Sequence, residues 1–269
     1  MKTLIFFTLL LLGIPAMAVD VPEGGDAIYH QVRNANAVVF ATLTSSDKSF
    51  LYFNLLKGLN RKMPATFKIG RALAPGHDQL VLKNTATYLL FLKVNRLSER
   101  LGIYSLAMGE YSVSPMNRKF MNDYESVISD YMKFRGNNAA LAKSLMLHVD
   151  KRIPYLQYSA VKDMAMRGML DETASTELAE KMRNGIIVDP RAKLEIVRKI
   201  SKFKMTTYTP ILEQLIVDNS ENVSVKSASL TALDHMGQVE ALRRVAPAML
   251  EHRSGRLRRV TIDIVKPRN

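Results

Sequence analysis

The sequence predicts an α+β fold in which a small antiparallel β-barrel precedes an array of paired α-helices. From residue 37 to about residue 113, apolar residues form short runs rich in Val, Ile, Phe and Tyr, broken by turn residues, which is typical of strands. From residue 137 onward they recur at helical spacing between Gly, Asn and Pro breaks. Because the strands follow one another too closely for crossover helices, we expect antiparallel pairing in a barrel or a sandwich, and a barrel of five or six strands is the more economical.

Seven strands are predicted before residue 114. They lie near residues 38–44, 50–56, 65–69, 79–82, 87–93, 103–106 and 110–113. Turn residues separate them, for example at residues 74–77 and at Met108-Gly109. A short amphipathic helix is predicted ahead of them at residues 26–34, with Asp26 as its N-cap.

A longer amphipathic helix connects the two parts. Its apolar residues share one face and are Phe120, Tyr124, Val127, Ile128, Tyr131 and Phe134. Gly136 is placed to end it. We expect this stripe to pack on the barrel or on the first helix pair, an interpretation that this spacing favours over an aromatic ligand site.

The remainder is predicted to form four helix pairs. They are residues 139–148 with 155–166, 172–184 with 190–202, 208–218 with 223–235, and 239–252 with 256–265. The pairs recur at roughly 30–36 residues, which is typical of helical repeats. The predicted divisions are residues 1–18, a β-rich domain at 19–114, a connecting helix at 115–136 and repeats at 137–269.

Both parts resemble known families. Residues 225–237, read as VKSASLTALDHMG, resemble the second helix of a HEAT-like repeat, and residues 156–168 and 190–203 are looser copies. Residues 37–44, 53–58 and 87–92 are similar to netrin-like and tissue-inhibitor-of-metalloproteinase-like domains, which implies an OB-type barrel in a secreted setting. Animal members engage a protease zinc through an N-terminal Cys, and this chain has no Cys, so protease inhibition is not implied.

The N-terminus is typical of a cleavable signal peptide. Lys2 precedes an apolar run at residues 4–12, and helix breakers then lead to Ala16-Met17-Ala18. The run is too short to span a membrane, and no later segment is long and apolar enough. We therefore expect a mature chain that begins at Val19 and is periplasmic or secreted rather than integral to the membrane.

Catalytic and cofactor motifs are absent from the sequence. The chain has no Cys, no phosphate-binding glycine loop and no nucleophile elbow, and its five histidines lack metal-ligand spacing. These observations predict a non-enzymatic protein without a cofactor. A hydrolase with carboxylates assembled by the fold stays open as a third hypothesis, for which Glu99 with Glu110 is the best isolated pair.

Positive charge is concentrated in the last repeat. The formal net charge is +13, and a charge of this size attracts acidic partners. The candidate binding residues are Arg243, Arg244, Arg253, Arg256, Arg258 and Arg259. A solvated face that caps the array is the simpler reading of this cluster. Nucleic acid is disfavoured because aromatic residues that could stack on bases are nearly absent here.

The leading hypothesis is an exported scaffold that presents its helical repeats to a protein partner. The alternative is a cell-envelope binder that uses the six arginines on anionic lipid or polysaccharide.

Overall fold

A β-barrel followed by a helical array makes up the computed structural model, which describes residues 27–71, 82–110 and 112–266. This architecture confirms the predicted α+β fold. The predicted signal peptide, Asp26 and most of the predicted strand at 79–82 lie outside the described residues.

Five strands close the barrel, and a sixth extends one of its pairings. The strands are β1 (Ala37–Ser46), β2 (Phe50–Gly58), β3 (Thr66–Gly70), β4 (Thr87–Lys93), β5 (Ile103–Glu110) and β6 (Val113–Met116). The order β1-β2-β3-β5-β4 returns to β1 through an antiparallel β1–β4 pairing. Strand β6 pairs antiparallel with β4.

Three details differ from the sequence prediction. Strand β3 pairs parallel with β5, since β4 and a short helix, α2 (Arg96–Leu101), supply the return connection. Helix α2 was not predicted, because its six residues are too few to show a period; Asn95 caps it and Gly102, at φ +63°, ends it. Strand β5 continues through the predicted turn at Met108-Gly109, and the chain turns where the Ser112 N–H donates to the Gly109 carbonyl.

Strands β1 and β4 are buried on both faces. Val39 and Leu90 belong to the core inside the barrel, whereas Val38, Phe40 and Phe91 pack outward into the core of the helices. This double burial explains why both strands read as continuous apolar runs. One apolar core therefore extends from the outside of the barrel into the helical array.

The helices confirm all four predicted pairs. Ahead of the array lie α1 (Ile28–Asn34) and α3 (Met121–Lys133); the array contains α4 (Asn138–Val149), α5 (Pro154–Met166), α6 (Glu172–Arg183), α7 (Pro190–Lys202), α8 (Thr209–Val217), α9 (Val223–His235), α10 (Val239–Leu250) and α11 (Gly255–Val265). Within the array, each even-numbered helix packs on the odd-numbered helix that follows it, and α5, α7, α9 and α11 pack successively against one another. We call these four helices the odd row, and α4, α6, α8 and α10 the even row.

None of the helices in the described part of the chain is long and apolar enough to cross a membrane.

Candidate binding surface

A groove of about 390 Å³ lies on the odd row between α7, α9 and α11. Its apolar lining comes from Leu194, Val197, Ala228 and Ala232. Its polar lining consists of two arginines and four hydroxyl residues, which are Arg198, Arg256, Ser201, Ser224, Ser227 and Thr231. The groove therefore offers hydrogen-bond donors and positive charge above an apolar floor.

The hydroxyl residues of α9 follow from helical spacing. Ser224, Ser227 and Thr231 lie at i, i+3 and i+7, so they share the face of α9 that lines the groove. Their small side chains leave a trough where larger residues would fill the space. The Asn222 side chain accepts from the Ser224 N–H at 2.8 Å and fixes the start of the helix.

The two arginines of the groove differ in their electrostatic surroundings. Arg198 donates to Glu195 at 3.1 Å, and Lys162 on α5 donates to the same carboxylate at 3.1 Å. Arg256 is exposed and has no hydrogen bond or ion pair within the described residues. The Glu195 carboxylate thus pairs with two cations, and the guanidinium of Arg256 remains available to a ligand.

The six predicted arginines are spread over three elements. Arg243 and Arg244 lie on α10, in the even row, where they pair with Glu240 and Glu213. Arg253 lies in the loop between α10 and α11, and the other three, Arg256, Arg258 and Arg259, lie on α11. Of the six, Arg256 lines the groove. The structure thus separates the first two arginines, which have carboxylate partners, from the one in the groove.

Sequence reasoning missed Arg198 and the hydroxyl residues of the groove. A helical projection of the predicted 190–202 helix places Arg198 on its polar face. The sequence does not show that this face meets α9 and α11. The groove depends on which helices become neighbours, which is not encoded in any one repeat.

A buried polar network lies at the opposite end of the array, where the barrel meets α5. Asp163 accepts hydrogen bonds from the hydroxyl of Tyr131 on α3 and from the Tyr29 N–H on α1, at 3.3 Å in the latter case. Ser159, 3.4 Å from the same carboxylate, accepts from the Ile28 N–H at 2.7 Å. The network therefore links α1, α3 and α5.

Burial raises the pKa of Asp163 to about 7. The hydrogen bonds from Tyr131, Tyr29 and Ser159 and the nearby Arg167 guanidinium favour the ionised form, but they do not offset the loss of hydration. The guanidinium also lies 4.2 Å from the ring centroid of Tyr29. Because this carboxylate joins α5 to α1 and α3, we assign the network a structural role.

Glu99 and His148, two of the residues considered for catalysis and metal binding, have structural partners. Glu99 pairs with Arg61, while the Glu110 side chain lies outside the described ones. His148 lies 2.8 Å from Asp130 and joins α4 to α3. No group of three or more His, Asp or Glu residues that could hold a metal occurs in the described ranges.

Comparisons of the chain with protein-family models, with curated proteins and with solved structures found no match.

Proposed function

We propose that this protein is an exported, non-enzymatic scaffold whose odd row binds an acidic segment of a protein partner in the cell envelope. The groove between α7, α9 and α11 is the observation that carries the proposal. Its apolar floor suits the aliphatic part of a peptide, while Arg198, Arg256 and the hydroxyl groups suit carboxylates and peptide carbonyls. Export rests on the signal-peptide pattern of residues 1–18.

The architecture also supports this proposal. Helical repeats stack into extended surfaces that bind partners, and each repeat adds one odd helix to such a surface. We propose accordingly that the array is HEAT-like and that the barrel is an OB-like, netrin-like domain that anchors its first helices. Val38, Phe40 and Phe91 of the barrel contribute to the core of the array, which fits an anchoring role.

A second candidate, binding to anionic lipid or polysaccharide through the exposed arginines, is favoured by one observation. Arg253 and Arg259 are exposed and form no ion pair with a described carboxylate. Attraction between exposed charges weakens as salt screens it. The two functions therefore differ in salt dependence and in the arginines they require.

In-cell crosslinking of the tagged protein, followed by mass spectrometry, tests the leading function. The decisive variant is Arg198→Gln with Arg256→Gln, which removes both guanidinium groups from the groove. The matched control is Arg243→Gln with Arg244→Gln, which removes the same charge from the even row. A discrete protein crosslinked to the wild type and to the control, but lost from the groove variant, is the expected result.

Three outcomes would overturn the proposal. They are a partner retained by the groove variant, a partner lost equally from both variants, and recovery of only lipid or polysaccharide that high salt removes. The last would establish the alternative function.

A further inference from the structure

The fourth residue of each odd-row helix occupies an equivalent position. These residues are Gln157, Lys193, Lys226 and Arg258. The Gln157 side chain bonds the loop that leads into the next odd helix: it accepts from the Val188 N–H at 2.8 Å and donates to the Ile186 carbonyl at 2.7 Å. We call such a contact an inter-repeat link.

The next inter-repeat link is an ion pair. Lys193 on α7 donates to the carboxylate of Glu221 at 2.5 Å, and Glu221 lies two residues before α9. The other oxygen of Glu221 accepts from the Asn222 N–H at 2.9 Å. One carboxylate thus bridges an ammonium group and a backbone N–H beside the start of the next odd helix.

The third link has the cation but no acceptor. Lys226 is 1% exposed, and among the described residues its Nζ has no hydrogen-bond or ion-pair partner. The carboxylate of Asp218, whose pKa is lowered by its hydrogen bonds with Ser220 and then by the charges of Lys193 and Lys226, lies beyond ion-pair distance. The residue two positions before α11, equivalent to Glu221, is Arg253. A basic residue therefore stands where the preceding repeat has the carboxylate, although an unpaired buried charge is costly.

The surroundings of this third link also favour an anion. The N-cap residues of α7 and α9, Asp189 and Asn222, accept from first-turn N–H groups, whereas the Ser254 side chain before α11 does not. The Arg258 guanidinium donates to the carbonyls of His252 and Arg253 in the same loop.

The pKa of His252 reports the cations around this loop. It is lowered by burial and then by the positive charges of Lys226, Arg253 and Arg258. The first turn of α11 and three cations thus converge here, and in the described part of the chain none of these cations pairs with a carboxylate.

We propose that Lys226, Arg253 and the first turn of α11 form a binding site for a carboxylate from an acidic side chain of the protein partner. This carboxylate plays the part of Glu221 in the preceding repeat, with one oxygen on the Lys226 ammonium. Its other oxygen accepts from a first-turn N–H of α11, because the Ser254 N–H, which is equivalent to the Asn222 N–H, already donates to His252 Nδ1 at 3.0 Å. The inference deepens the proposed function and rests on it for the source of the carboxylate.

Replacing Arg253 by Glu supplies the missing carboxylate from within the chain. We expect Arg253→Glu to raise the Tm of the purified protein without any ligand, because it recreates the Lys193–Glu221 link. We also expect it to weaken binding of a hexaglutamate peptide, measured by calorimetry, by at least about ten-fold, because the site is then occupied. Arg259→Glu is the matched control: it makes the same change of charge on α11 and should cause less than about a two-fold loss.

Lys226→Met tests the same site without adding negative charge. It should weaken hexaglutamate binding by a similar factor, while Arg259→Glu at the same salt concentration should retain binding. A Tm that Arg253→Glu does not raise, or equal losses in Arg253→Glu and Arg259→Glu, would overturn the site.

The test separates this inference from the proposed function. If hexaglutamate binding is unchanged in Arg253→Glu and Lys226→Met but lost when Arg198 and Arg256 are replaced, the inferred site is wrong and the groove remains. Inorganic phosphate that competes with the peptide better than acetate does, at the same ionic strength, would overturn the assignment to a carboxylate.

Discussion

Each end of the helical array contains a buried ionisable group, and the two groups differ in their hydrogen bonding. At the barrel end, Asp163 Oδ2 accepts hydrogen bonds from Tyr131, Tyr29 and Ser159, while its Oδ1 has no hydrogen-bond partner among the described residues. At the far end, Lys226 is as deeply buried, and its Nζ has no hydrogen-bond or ion-pair partner among the described residues. The first arrangement holds elements together, whereas the second leaves a charge that an external group can satisfy. This contrast is why we place binding at the far end.

The largest expected effect concerns the pH dependence of the barrel end. Burial raises the pKa of Asp163 from 3.8 to about 7, so the folded protein keeps a proton that the unfolded chain has released between these values. The contribution of Asp163 to the free energy of unfolding should therefore fall as pH rises from about 4 to about 7, by about 4 kcal/mol at most, and then level off.

Urea titrations of the wild type and Asp163→Asn across this range measure that contribution, since Asn has the same shape and does not titrate. The stability of Asp163→Asn relative to the wild type should rise with pH up to about 7. A constant difference from pH 4 to pH 8 would mean that this carboxyl titrates at its ordinary pKa.

The parts of the fold that the sequence predicted correctly are those that depend on patterns within a single segment. Apolar spacing and helix breakers lie within each segment, so the four helix pairs and β4 at Thr87–Lys93 were predicted within a few residues. At equivalent places, Gly168 and Gly237 both adopt φ +70° just after an odd helix. The parallel pairing of β3 with β5 was missed because it joins residues more than thirty positions apart, such as Lys68 and Ile103.

The candidate sites depend on packing more than on local pattern. Arg256 was among the predicted binding residues. Arg198 was not, and it lines the groove because α7 packs beside α9. Lys226 reads in the sequence as an ordinary surface cation. Its burial depends on the packing of α9 against α8, α10 and α11, which no single helix specifies.

A smaller effect compares the inter-repeat link of Lys193, which includes a carboxylate, with that of Lys226, which does not. Glu221→Gln leaves the Lys193 ammonium facing a neutral amide, so we expect a loss of about 2 kcal/mol in the free energy of unfolding, below the value for a fully buried pair because Lys193 is partly exposed. Arg253→Gln changes the equivalent position of the next repeat and should leave stability within about 0.5 kcal/mol of the wild type, or slightly above it. If urea titrations gave both variants the same loss in the free energy of unfolding, the two links would not differ as proposed.

The smallest effect compares two buried serines that take the same substitution. Ser159 and Ser229 are both 0% exposed. The Ser159 hydroxyl accepts from the Ile28 N–H, whereas the Ser229 Oγ has no hydrogen-bond partner within the described ranges. An unsatisfied buried hydroxyl is unfavourable, while removal of an acceptor strands its donor.

Ser159→Ala should therefore lower the free energy of unfolding by about 1 kcal/mol, and Ser229→Ala should raise it by up to about 1 kcal/mol. Both variants delete one oxygen from a fully buried helical position, so differences in volume and helix propensity nearly cancel between them. Parallel urea titrations at pH 7.5 give the sign of each change. Opposite signs would show that the Ser229 hydroxyl, on a helix near the proposed binding site, is unsatisfied, whereas the Ser159 hydroxyl stabilises the barrel end. The same sign in both would mean that Ser229 has a hydrogen bond in solution and that the difference between the two ends is smaller than the structure indicates.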